Sequence, residues 1–149
     1  MGVKIIGGKK LQSTLRSLKS TKARALSVGF YPNHRYDDGM PVAQVAFWNE
    51  YGTIKIPERP FFRHANFMAI KKFKRIVKNI NVSKNKSVIT VSQVNQIGRM
   101  WTNTLQQSID GEGISYVPNA PSTIARKGSS QPLIDTSLML ASPDYKVIR

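Results

Sequence analysis

Between positions 41 and 60, one glycine and three prolines leave the chain few ways to fold. Pro41 suits a first helical position, where a missing N–H is no loss and φ is preset. Gly52 stands where a helix C-terminal cap belongs. Pro57 and Pro60 hold the residues before them extended. The punctuation predicts a short helix over 41–51, an extended piece over 53–60 and a longer helix from Pro60 to about residue 79. In the first helix Val42, Val45, Ala46 and Asn49 form one stripe, and Phe47, Trp48 and Tyr51 add aromatic bulk. In the second, Phe62, Ala65, Ala69, Phe73, Ile76 and Ile80 recur at threes and fours, with Lys71, Lys74, Arg75 and Lys78 mostly off that stripe.

On either side the periodicities change. Leu11, Leu15 and Leu18 predict a helix over 8–22, and Leu26, Val28 and Phe30 share one face of a strand over 25–31. Residues 32–41 read as a polar loop turning at Asp37-Asp38-Gly39. Residues 81–91 read as a linker or weak strand. A helix fits 92–109, capped by Ser92, with Val94, Ile97, Trp101, Leu105 and Ile109 as its stripe. The stretch 110–136 is rich in Gly and Pro and reads as a loop or extended arm, with room for one helical turn from Ser122 to Lys127. Long loops of this kind are often binding segments. Residues 137–142 and 145–148 read as two short strands turning at Pro143-Asp144. The expected fold is α+β in one domain over 1–149: a small antiparallel sheet packed with three to four helices.

Composition narrows function more by exclusion than by assignment. No apolar stretch spans a bilayer, so no membrane partner is expected, and the N-terminus lacks the pattern of a secretory signal, which points to synthesis and use in cytoplasm. Cysteine is absent, which removes disulfides, thiolate catalysis and thiolate metal sites. His34 and His64 are too few for a histidine-rich metal site, and Asp37-Asp38 is turn chemistry before it is a ligand pair, so no cofactor is expected. Twenty-three Lys and Arg against eight Asp and Glu give a formal net charge of +15. Eight basic residues precede the first acid, Asp37, and a second basic cluster runs through Lys71, Lys72, Lys74, Arg75, Lys78, Lys84 and Lys86. Such an excess attracts polyanions, nucleic acid above all, or an acidic protein face.

Catalytic constellations are not evident. Gly7-Gly8 before Lys9-Lys10 lacks the Walker spacing, and no Gly-x-Ser-x-Gly elbow exists. Glu50 and Glu58 are the best-placed carboxylate pair, separated by a Gly and a Pro, but acids are too scarce for a magnesium nuclease. Phe30, Tyr31, His34, Arg35 and Tyr36 are the aromatic-plus-basic mixture that can stack on single strands. The competing reading is a strand end and loop whose aromatics pack on the core. No enzymatic role is expected.

Two segments carry a resemblance. Val42 to Thr53, ending Asn49-Glu50-Tyr51-Gly52-Thr53, is followed by Ile56-Pro57-Glu58-Arg59-Pro60-Phe61-Phe62-Arg63. Further on stand Pro121 to Ser129, with Lys127-Gly128, and Pro132-Leu133-Ile134-Asp135-Thr136-Ser137. Together they resemble the tail-completion, minor-tail-Z-like and morphogenesis proteins of long-tailed bacteriophages. In those a helix ends in Asn-Glu-aromatic-Gly-Thr, an extended piece ends in Pro-x-Arg-Pro-Phe, and a later segment reads Pro-Leu-x-Asp-Thr-Gly. Here Ser137 replaces that last glycine. The resemblance covers about half the chain.

The resemblance implies a virion protein of the phage neck, assembled in host cytoplasm into a homo-oligomeric ring, with six copies the expected number. Genomic DNA would pass through the ring, and adjacent tail-terminator or tail-tube and head-completion proteins would dock on it. Contacts to neighbours are expected at Asn49, Glu50, Tyr51, Gly52, Arg59, Phe61, Phe62, Lys127, Asp135 and Thr136. For Asn49, Glu50 and Arg59 a local polar network that fixes the turn is the competing role. Lys71, Lys72, Lys74, Arg75 and Lys78 are expected on the DNA channel or against an acidic partner. Tail termination, or non-specific DNA binding by a basic monomer, are the alternative functions.

Overall fold

The computed structural model describes residues 25–84 and 91–148. The helix expected over 8–22, the N-terminal basic run up to Arg24, and Lys86 lie outside these residues. The described chain runs β1 (Ala25–Phe30), α1 (Val42–Tyr51), α2 (Phe61–Lys84), α3 (Val91–Ile109), α4 (Pro121–Lys127), α5 (Leu138–Ala141) and β2 (Pro143–Ile148). The architecture is α+β, with three long helices and two short ones among the described residues.

Helices α2 and α3 form an antiparallel pair. Ser108 near the end of α3 meets Phe61 and His64 at the start of α2, whereas Trp101 meets Phe73 further along, with ring centroids 6.2 Å apart. The Trp101 indole N–H donates to Asn66 Oδ1 at 2.9 Å, which satisfies the one polar group of that ring. The core is shared by Val42 and Ala46 of α1, Phe61 and Ala65 of α2, Leu105 and Ile109 of α3, and Met139 of α5. Phe61 is the buried aromatic of α2, while Phe62, expected on the core stripe, is half-buried. The linker expected from residue 81 gives way to helix as far as Lys84, since Asn81 to Lys84 includes neither Gly nor Pro to stop it. Helix α3 opens at Val91, so Ser92 sits in its first turn and not at the cap.

The sheet differs most from expectation. Residues 138–141 are a short helix, not a strand, and Pro143-Asp144 begins β2 instead of turning a hairpin. Strand β2 pairs antiparallel with β1, Ala25 opposite Ile148 and Phe30 opposite Pro143. Pro143 is tolerated as the first residue of a strand because it has no ladder hydrogen bond to donate. Ser137 enters α5 with φ of 61°, a left-handed turn that aims Met139 into the core, and Ser142 Oγ closes the helix by donating to Leu138 O at 2.6 Å. The two strands lie on α3. The approach is closest at Gly98, where an added Cβ would stand 2.3 Å from the Tyr145 ring.

Candidate assembly surface

The corner between α1 and α2 is built by one carboxylate. Glu50, only 4% exposed, sits in the last turn of α1 with its side chain directed onto the start of α2. Its Oε2 accepts the Phe62 N–H at 2.7 Å, and its Oε1 accepts the Arg63 N–H at 3.2 Å and Arg63 Nε at 2.8 Å. A negative charge on the first amides of a long helix is favourable on two counts: it satisfies donors that have no partner within the helix, and it opposes the positive end of the dipole. Arg63 also donates to the Glu50 backbone O at 2.8 Å and pairs with Glu58. Its guanidinium is raised above its ordinary pKa by the hydrogen bonds to Glu50 and Glu58, against some desolvation. The two acids that sequence alone pairs as a dyad are thus brought together through Arg63, with Glu50 committed to structure. Arg63 belongs to the motif but is not among the expected contact residues. Its place at the end of that motif, on the first turn of the helix five residues after Glu58, is the signal that could have found it.

The second half of the corner is Arg59, 5% exposed. Its N–H donates to Asn49 O at 2.7 Å. The guanidinium donates to Val117 O at 2.9 Å, Pro118 O at 3.3 Å, Asn49 Oδ1 at 3.2 Å and Asn119 Oδ1 at 3.1 Å. Burial pushes its pKa below the ordinary value. A planar fork of donors can satisfy four carbonyl-type acceptors at once, which an ammonium cannot. Arg59 therefore ties 117–119 to α1. Tyr116, Leu133 and Ile134 pack on the core. Asn119 Nδ2 reaches Ser130 O and Gln131 O at 3.3 and 3.1 Å.

Gly52 lets α1 stop here. Its φ is 74°, and an added Cβ would lie 3.1–3.3 Å from the backbone of Ile56 and Glu58. Residues 53–56 then make a tight loop: Thr53 N–H donates to Ile56 O at 2.8 Å, and Thr53 Oγ1 accepts the Lys55 and Ile56 amides at 3.2 and 3.0 Å. Ile54 stands fully exposed on that support. On α1, Phe47 and Tyr51, 56% and 59% exposed, lie with ring centroids 4.8 Å apart, and Arg63 sits 5.4 Å from the Tyr51 ring centre. These rings border a groove of about 500 Å³ floored by Phe30, Phe61 and Phe62.

Most of the other expected contacts converge on a separate cleft of about 350 Å³, lined by Asn49, Arg59, Lys127 and Asp135 together with Tyr36, Asp38, Lys55 and Arg126. Burial lowers the Lys127 ammonium, Asp135 raises it in part, and Arg59 and Arg126 lower it again. Its Nζ donates to Gln131 O at 3.1 Å. Tyr36 is raised by burial and by Asp135 and Asp38. Asp135 and Thr136 are exposed. Glu50, Arg59 and Phe61 are spent inside the chain and support the surface from beneath. Tyr51 stands exposed on α1.

Among the basic residues of α2, Lys71, Lys74, Arg75 and Lys78 point outward. Lys72 does not join them: its Nζ donates to Thr104 Oγ1 and Gln107 Oε1 of α3 at 3.1 and 3.0 Å. The aromatic-plus-basic stretch 30–36 makes contacts within its own chain. Phe30 packs edge-on against Phe61, Tyr31 donates to Ser27 O at 3.0 Å, and Arg35 donates to Gly39 O at 2.8 Å. Asp38 forms the expected turn by accepting the Met40 N–H at 2.9 Å.

One constellation has no counterpart in the sequence reading. Ser108 Oγ lies 3.0 Å from His64 Nδ1. It resembles a nucleophile and its base, yet Ser108 is fully buried and donates to Phe61 O at 2.7 Å. With its one proton so used, Oγ accepts from the imidazole, and Tyr116 locks the knot by donating to Ser108 O at 2.6 Å. Comparison with protein-family models, with curated proteins and with solved structures returns no match for the chain.

Proposed function

We propose that this protein is a structural subunit of a tailed-bacteriophage particle, forming a ring of about six copies at the head–tail junction around the passing DNA. The observation that carries the reading is the corner of the resembling motif. Its polar residues hold α1, α2 and the 117–119 segment rigid from within, and the same corner carries Phe47, Tyr51 and Ile54 exposed. Apolar side chains held out on a rigid support, beside a groove and rimmed by charge, are the surface of an interface. The reading covers tail completion, tail termination and head closure alike.

The test is the mass in solution across a concentration series by light scattering at moderate salt. A discrete ring near six copies is expected. The variant Phe47→Ser, Tyr51→Ser, Ile54→Ser should remain monomeric with an unchanged thermal midpoint, because these side chains lie outside the core. A wild type that stays monomeric at every concentration overturns the ring and leaves the second reading, a basic monomer on DNA, which the outward cations of α2 favour.

A further inference from the structure

Charge is segregated along this chain more sharply than its net value conveys. Between Glu58 and Asp110 there is no carboxylate, so the whole α2–α3 pair carries only cations. On α2, Lys71, Lys74, Arg75 and Lys78 fall at offsets of three, four and seven, which places them on one helix face. That face is solvent-exposed, and the opposite one carries the buried Ala65 and Ala69 and the half-buried Phe73 and Ile76. The only ion pairs among the described residues belong to Arg63. Lys71 lies 4.1 Å from the centre of the exposed Phe67 ring, and none of the four has a carboxylate partner among the described residues.

We infer that this stripe is a sequence-independent binding surface for the phosphate backbone of duplex nucleic acid. Every neighbouring pair along it, at three or four residues, is a like-charge pair and repels. A regular line of anions relieves all of these repulsions together. A protein surface mixes its carboxylates with cations, whereas a phosphodiester backbone offers one charge about every 3.4 Å of axial rise per strand and no cation. The stripe rises about 10 Å along α2, the length of about three such steps. Lysine and arginine side chains on one exposed helix face contact phosphates without reading bases. The inference rests on the proposed function only for the place of the stripe in a channel. At a net charge of +15 per copy, packing subunits into a ring is opposed by their mutual repulsion, and DNA on this face would offset it.

The experiment is fluorescence anisotropy of a labelled duplex of random sequence, about three helical turns long, with the full-length protein over a salt series. The stripe variant is Lys71→Gln, Lys74→Gln, Arg75→Gln, Lys78→Gln. The control variant removes four charges elsewhere: Arg35→Gln, Lys55→Gln, Arg126→Gln, Lys146→Gln. Wild type should lose affinity steeply with salt, equally for a second, unrelated duplex. The stripe variant should lower the slope of log K against log salt by about 3, and weaken binding about 10³-fold at roughly 0.1 M salt. The control should change the slope by less than half as much. Circular dichroism reports that each variant folds. Equal losses in both variants, an unchanged slope in the stripe variant, or polyglutamate competing as well as duplex at equal charge would each overturn the inference. Light scattering on the same samples reads ring formation separately, so failure of the ring and failure of the stripe are distinguishable.

Discussion

At the scale of single residues, buried polar groups decide how this corner is built. Glu50 accepts from two backbone amides and an arginine, so Glu50→Gln removes the charge and turns an NH₂ toward donors. The expected cost is about 2 kcal/mol, since leaving buried donors unsatisfied costs more than the bond itself contributes. Chemical unfolding checks it, and a change under about 0.5 kcal/mol would sink the capping role. Tyr36 gives a pH signature. Burial and the nearby Asp135 and Asp38 raise its pKa above the ordinary 10.0. The neutral phenol is therefore favoured in the folded state. Above about pH 10 the unfolded chain releases this proton first, and stability falls as pH rises. Tyr36→Phe lacks that loss, so the variant should gain on wild type above about pH 10, and parallel stability curves through about pH 11 would rule it out.

At the scale of elements, contacts distant in sequence outweigh local preference. Gly98→Ala on α3 should raise helix propensity by about 1 kcal/mol. The new methyl would meet the inner atoms of the Tyr145 ring, at 2.3–2.7 Å. Overpacking costs about 1–3 kcal/mol, so the net effect should be destabilising, visible as a lower thermal midpoint. Arg59→Lys should cost about 2 kcal/mol, because an ammonium cannot reproduce the fork. Hydrogen exchange should quicken at 114–120 before it does in α3, and uniform acceleration would contradict the clamp. Helices α1 to α3 are legible in the sequence because Pro41, Gly52 and Pro60 act locally and the apolar stripes repeat, whereas the four-residue α5 reads as a strand. The gathering of Asn49, Glu50 and Arg59 into a local network is legible as one of two readings. The acceptors of Arg59 are not legible, since Val117 O and Pro118 O are backbone atoms 58 and 59 residues away. The turn of Lys72 toward Thr104 and Gln107 depends on which α3 side chains face it, and spacing on α2 alone does not carry that.

At the scale of the whole molecule, the sheet is the least legible feature. Strand β2 does alternate, with Pro143, Tyr145 and Val147 covered and Asp144, Lys146 and Ile148 exposed, but its partner lies at the far end of the described chain. A proline-aspartate pair beside a short apolar run reads locally as a hairpin, and only the docking of both strands on α3 overrides that.

That pairing has a consequence in time. The α2–α3 pair depends on contacts between neighbouring segments and can form early, on the order of milliseconds or faster. Strand β1 has to wait, because its partner leaves the ribosome about 120 residues later, at a tempo of synthesis of about 5–20 residues per second. The groove beside Phe47 and Tyr51 is lined in part by Val28, Gly29 and Phe30 of that waiting strand. That groove is therefore complete only once β2 has paired with β1, late in synthesis.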